Sequence, residues 1–119
     1  MEDRELIIQT VLDYVEGWYG ADGKRMEKAL YSKLSKRRIT PDGEAWESTR
    51  DWMVDATNKG QGKIEQPEKG KKDISIMDMT KTMASVKLVS EVFDDYIHHA
   101  KVSGKWVIVN ALWDYREKT

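Results

Sequence analysis

Two histidines stand side by side at His98 and His99, and Asp95 precedes the second by four residues. Imidazole titrates near neutral pH, so His99 is a candidate general acid or base, with Asp95 orienting it or abstracting a proton itself. The competing reading is a hydrogen-bonded core histidine and a structural aspartate near a strand end. The His98–His99 pair is not read as a metal site. Neighbours on a strand point to opposite faces, and a chain without cysteine would have to complete the site with carboxylates. Neither a metal nor a cofactor is expected. Tyr14, Trp18, Tyr19, Trp46 and Trp52 are the candidates for an aromatic pocket suited to flat heterocycles or sterol-like rings, against ordinary core packing. Gly60-Gln61-Gly62-Lys63 lacks the spacing and the Ser or Thr of a phosphate loop, and no serine before the sheet sits in a nucleophile elbow.

The charge balance narrows the partners. Twenty Lys and Arg against 21 Asp and Glu leave a net charge of -1, without the basic excess of a nucleic-acid binder. The clusters Lys36-Arg37-Arg38 and Lys69, Lys71, Lys72 read as solvated surface. No apolar run is long enough to span a bilayer, and the acidic start Met1–Glu5 is not the basic opening of a secretory signal. The lack of cysteine rules out disulfides and thiol chemistry and suits a reducing compartment, so a cytoplasmic location is expected. The 119 residues form one domain, 1–119, long enough to bury a core without covalent staples.

Those residues must be held by helices first and strands after, an α+β order. Ile7, Val11, Tyr14, Val15 and Trp18 recur at helical spacing, which predicts a buried helix from Asp3, as N-cap, to Tyr19, stopped by Gly20. Asp22 caps a second helix with the stripe Met26, Ala29, Leu30 and Leu34. Thr40-Pro41-Asp42-Gly43 is a turn. A short third helix begins at Ser48, presents Trp52, Met53 and Ala56 on one face, and closes at Asn58 and Gly60. After the charged, glycine-rich loop 60–72 the period becomes two. Strands are expected over Ile74–Met79, Ala84–Val89, Asp95–Val102 and Trp106–Tyr115.

Ser103-Gly104 makes the last hairpin, which fixes facing. Plain alternation pairs Lys101 with Trp106, His99 with Ile108, Ile97 with Asn110 and Asp95 with Leu112. Asp95, Ile97, His99, Trp106, Ile108, Asn110 and Leu112 then share one face. Tyr96, His98, Ala100, Val107, Val109, Ala111 and Trp113 share the other, and a shift of one residue would reverse the assignment. That second face is too apolar for open solvent and reads as a homodimer interface.

Three stretches carry a family resemblance: Tyr14-Val15-Glu16-Gly17-Trp18-Tyr19-Gly20-Ala21-Asp22 with Met26 to Leu30, then Ala84-Ser85-Val86-Lys87-Leu88, then Asp95-Tyr96-Ile97 through Gly104-Lys105-Trp106-Val107-Ile108-Val109-Asn110. Together they resemble the lumazine-binding-like, SnoaL-like branch of the nuclear-transport-factor-2-like superfamily, over nearly the whole chain. One departure is Tyr31-Ser32, where many relatives carry a His-Pro pair. The resemblance implies a cone, a cystatin-like roll in which a strongly curved antiparallel sheet wraps the helices. Its concave side would hold a pocket, and its outer face would dimerise. It also implies that the face with Trp106 and Ile108 is the concave one, which turns His99, Asn110 and Asp95 toward the pocket.

Because this fold hosts many activities, three readings follow. The first is a non-catalytic binding module for a small hydrophobic or aromatic molecule, held by Tyr14, Trp18, Trp52, His99 and Asn110. The second is a dimerisation module without a ligand. The third is a proton-transfer isomerase or dehydratase using His99 and Asp95.

Overall fold

A computed structural model describes residues 1–117. The elements run α1 (Asp3–Tyr19), α2 (Gly23–Ala29), β1 (Leu30–Ile39), β2 (Ala45–Ser48), α3 (Arg50–Asn58), a 3-10 turn at Pro67–Lys69, β3 (Lys72–Met79), β4 (Met83–Ser90), β5 (Phe93–Val102) and β6 (Lys105–Tyr115). The strands form one sheet in the order β2-β1-β6-β5-β4-β3. This is the expected α+β class, three helices against a curled six-stranded sheet. Pairing is antiparallel throughout except between β1 and β6, which run parallel. No helix among the described residues is long and apolar enough to cross a membrane.

Helix α1 keeps its expected span because its apolar positions fall on one stripe. Ile7, Val11, Tyr14 and Val15 are buried against Val86 and Leu88 of β4, Ile97 of β5 and Ile108 of β6 in one core. Each fully buried aliphatic side chain contributes about 1.5–3 kcal/mol. Asp3 does not cap the helix. Glu2 holds the N-cap position, and the Asp3 carboxylate instead accepts from Trp106 Nε1 at 3.0 Å and Lys101 Nζ at 3.2 Å, fastening the start of α1 to the last hairpin.

Helix α2 begins as expected, with Asp22 accepting from the Arg25 amide, but it stops at Ala29. Leu30 and Leu34, whose spacing suits a helical stripe, are buried residues of β1. Residues four apart share a face in a strand as they do in a helix, so the spacing alone does not separate the two. Pairing with β6 decides the outcome. Helix α3 is capped by Thr49 rather than Ser48: the Thr49 hydroxyl accepts from the Trp52 amide at 3.1 Å.

The final hairpin turns at Ser103 and Gly104, both with positive φ (51° and 80°), the primed geometry that matches strand twist. Its register follows plain alternation only as far as His99, which pairs with Ile108. The next pair is His98 with Asn110, so Val109 is skipped as a β-bulge. Beyond it Ile97 pairs with Ala111, Tyr96 with Leu112 and Asp95 with Trp113. The bulge reverses every side chain after it. Asn110 and Leu112 therefore lie on the outer face with His98 and Tyr96, and Ala111 and Trp113 turn inward with Ile97 and Asp95.

Candidate functional site

A cavity of about 240 Å³ opens between α1, α3 and the inner face of the sheet. Helix α1 contributes Tyr14, Val15 and Trp18, and α3 contributes Trp52 and Met53. The sheet contributes Lys36, Leu88, Ser90, Phe93, Asp95, Trp113 and Tyr115. The wall is mainly aromatic and apolar, with a few convergent polar groups, the usual constitution of a small-molecule site. Of the residues singled out in the sequence, Tyr14, Trp18, Trp52 and Asp95 meet here; His99 and Asn110 do not.

The polar floor is a chain of three groups from three elements. Lys36 Nζ lies 2.5 Å from Tyr14 Oη, and Tyr14 Oη donates to Asp95 Oδ2 at 3.0 Å. Met53 Sδ stands 3.6 Å from the same Nζ. The ammonium also sits 5.0 Å from the centroid of the Tyr14 ring and 5.8 Å from that of Trp113. Burial dominates the electrostatics. It pushes the Tyr14 phenol well above its ordinary value, reinforced by the Asp95 charge, so Tyr14 stays a donor. It raises the Asp95 carboxyl, against the opposing pull of Lys36 and of the Tyr14 hydrogen bond. It lowers the Lys36 amine, with Asp95 opposing.

The outer end of the cavity is an aromatic cluster. Phe93 and Tyr115 meet Trp113 edge to face at 5.0 and 5.6 Å, and Trp46 lies 6.4 Å from it. The Arg38 guanidinium is inserted between Trp46 and Tyr115, 4.8 and 4.7 Å from their centroids, and Arg38 Nε donates to Asp114 Oδ1 at 2.8 Å. Stacking of this kind suits a guanidinium and ties Trp46 of β2 and Tyr115 of β6 to Arg38 of β1. Trp46 is therefore part of the cluster behind the cavity wall. The Trp113 indole N–H is buried without a hydrogen-bond partner.

Trp18 is backed by the loop after α3. A Cβ on Gly62 would come within 2.1 Å of the Trp18 ring, so only glycine lets the loop lie against it. Tyr19 serves the framework instead. Its hydroxyl donates to the Lys71 carbonyl at 2.6 Å and accepts from the Glu91 amide at 2.8 Å, tying that loop to the turn after β4.

His99 and Asp95 are not joined. Both are buried on β5, but Asp95 is engaged by Tyr14, while both ring nitrogens of His99 lack any partner. Burial, with a smaller contribution from His98, lowers the His99 imidazole to about 4, so it is neutral at pH 7. Asn110 pairs with His98 across the strands and borders a separate open depression on the sheet. Among the described residues no group of three or more His, Asp or Glu is arranged to hold a metal ion.

Sequence reasoning misses Lys36, Phe93, Trp113 and Tyr115. The alternation of Trp113 and Tyr115 with Asp114 is a visible signal, but plain register turns Trp113 outward. Lys36 reads as surface charge because it lies in a basic run.

A family described as "Putative lumazine-binding" matches residues 2–114. The chain belongs to that family. Solved structures with the same fold agree with the lumazine-binding assignment at the level of architecture. An NTF2-like protein of unknown function from Shewanella baltica superposes with a TM-score of 0.77 at 20% identity, covering 98% of this chain and 95% of that one. Another from Silicibacter pomeroyi gives 0.75 at 19% identity, covering 98% and 100%. An uncharacterised Caulobacter vibrioides protein with a cystatin-like fold gives 0.65 at 14% identity, covering 98% and 92%. No curated protein matches the chain. The lumazine-binding family and the NTF2-like fold thus stand together, as the three sequence stretches implied.

Proposed function

We propose that this domain binds a small, partly aromatic molecule in the cavity between α1, α3 and the sheet, without turning it over. The observation that carries the reading is the cavity itself: aromatic walls around Lys36, Tyr14 and Asp95. Its volume of about 240 Å³ is roughly that of eight liquid waters. It lies just below the usual range for ligand sites, which favours one or two fused rings over a sterol. Trp18 and Trp52 line the opening, and Trp52 is 49% exposed, ready to cover a flat ring. The family description points to the same kind of ligand.

Thermal unfolding against a panel of bicyclic heteroaromatics, sterols and polyketide-like phenols tests this. A ligand at about 100 times its dissociation constant adds roughly 2.7 kcal/mol, an expected rise of roughly 8 °C or more for a domain of this size. If nothing small enough to fit moves the melting temperature or the tryptophan fluorescence, the binding reading fails.

The outer face supports a second assignment, to a homodimer. Tyr96 and Leu112 pair directly across β5 and β6 and are both exposed, flanked by Lys87 and Arg37. The bulge leaves this face less apolar than plain alternation suggests, because Ala111 and Trp113 are withdrawn from it. Sedimentation at micromolar concentration should show a dimer that Leu112→Glu dissociates. A wild-type monomer would remove the assignment.

A further inference from the structure

We propose that Lys36 is a carbonyl-capturing amine, forming an imine through Nζ with an aldehyde or ketone borne by a small aromatic molecule in the cavity. This rests on the binding reading above and adds a chemical class to it: the ligand carries a reactive carbonyl.

Placement is the first argument. Lys36 extends inward from β1, and although the residue as a whole is partly exposed, its amine ends beneath Tyr14 of α1, Met53 of α3 and Trp113 of β6. Among the described residues it has no salt-bridge partner. Its hydrogen bond goes to a phenol and its other close contact is a thioether. A lysine kept inside a protein for structure is ordinarily paired with a carboxylate, because a desolvated ammonium is costly. Here the carboxylate, Asp95 of β5, is reached only through the Tyr14 hydroxyl.

That indirect link is the second argument. Nζ donates to Tyr14 Oη, and Oη donates to Asp95 Oδ2. If one proton moves along each bond, Lys36 becomes a neutral amine, Asp95 a neutral acid, and Tyr14 is unchanged. Burial favours both neutral forms, since it lowers the amine and raises the carboxyl. A neutral amine in an aromatic pocket is the activated form of a lysine nucleophile.

The reaction balances without any other reactant. The amine lone pair attacks the carbonyl carbon, and the C=O π pair moves to oxygen. Nitrogen sheds its two hydrogens in turn, and the oxygen leaves with two as water. Tyr14, backed by Asp95, passes protons to the oxygen, and those shed by nitrogen replace them. Amine plus carbonyl becomes imine plus water, and nothing is oxidised or reduced.

The test is reductive trapping of the full chain at pH 7 with benzaldehyde and sodium cyanoborohydride, followed by peptide mass mapping. The thirteen other lysines serve as internal controls. An exposed amine is almost wholly protonated at pH 7, so the lowered Lys36 amine holds a larger neutral share. Benzylation is expected to be selectively faster at Lys36 than at the average surface lysine. Tyr14→Phe, which keeps the ring and cuts the relay, should slow it several-fold. Lys36→Met, checked for folding by its melting curve, should remove it. Labelling of Lys36 no faster than the surface lysines overturns the proposal, and an unchanged rate in Tyr14→Phe overturns the relay. Benzyl alcohol, of similar size without the carbonyl, separates the two readings. If it raises the melting temperature and Lys36 is not selectively trapped, binding stands and capture falls. If neither occurs, both fall.

Discussion

Ile108→Ala should cost about 2–5 kcal/mol of unfolding free energy, whereas Leu112→Ala, four positions along β6, should change it by less than about 0.5 kcal/mol. Plain alternation puts both residues on one face, and the structure separates them. Ile108 is 0% exposed, paired with Leu30 on one side and His99 on the other. Leu112 is 52% exposed and faces outward beside Tyr96. The bulge at Val109 is the whole cause of the difference. Removing three carbons from Ile108 leaves a void where three strands and α1 meet, and the surroundings can close it only in part. Urea unfolding of the two variants under monomeric conditions, with unchanged slopes, measures both terms. Equal costs would mean that β6 runs without the bulge, which would also turn Trp113 away from Lys36.

The second large effect concerns acid. Between pH 6.5 and about 4, the wild-type protein should lose roughly 3 kcal/mol relative to His99→Leu. His99 is 1% exposed, and in the folded chain its imidazole titrates at about 4, against 6.5 ordinarily. The unfolded chain therefore takes up the proton first. No penalty exists above pH 6.5, and it grows as pH falls and is complete near the folded value. Asp95 acts in the opposite sense: its raised carboxyl binds a proton earlier in the folded chain, so it stabilises as pH falls. Both proteins keep Asp95, so the difference between their curves isolates His99. At pH 8 the leucine variant should be at least as stable as wild type, because it removes two buried nitrogens without partners. Parallel stability curves for the two proteins would show that the histidine does not titrate as its burial requires.

The elements that could be read from the chain are those whose local pattern and tertiary role agree. Helix α1 is legible along its length, its N-cap excepted, because Ile7, Val11, Tyr14 and Val15 form a stripe that nothing in the fold opposes. Strand β4 is legible because Ala84, Val86 and Leu88 alternate with half-buried partners. The 103–104 turn is legible because Gly104 tolerates its positive φ. Strand β1 is not, since Leu30 and Leu34 satisfy either period and only the distant β6 selects extension. The bulge is hidden by the run Val107-Ile108-Val109, where an apolar residue at every position accepts either register. The candidate site inherits both difficulties. Tyr14, Trp18, Trp52 and Asp95 come from legible elements. Lys36 and Trp113 arrive on the illegible strand and beyond the bulge.

The sheet order carries a consequence for how the chain is made. Among the described residues strand β6 comes last of ten elements, yet it lies inside the sheet, between β1 and β5. As the polypeptide leaves a ribosome, α1, α2 and the β1–β2 hairpin emerge early with no partner for the β1 edge that β6 will occupy. The β3–β4–β5 meander follows as a second unjoined piece. The two pieces become one sheet only when residues 105–115 arrive between them, and the cavity, with walls drawn from both, forms at that same moment. Long-range pairing of this kind is slow and leaves strand edges open in the meantime. The nascent domain is thus most exposed to misassociation just before the eleven-residue strand β6 emerges.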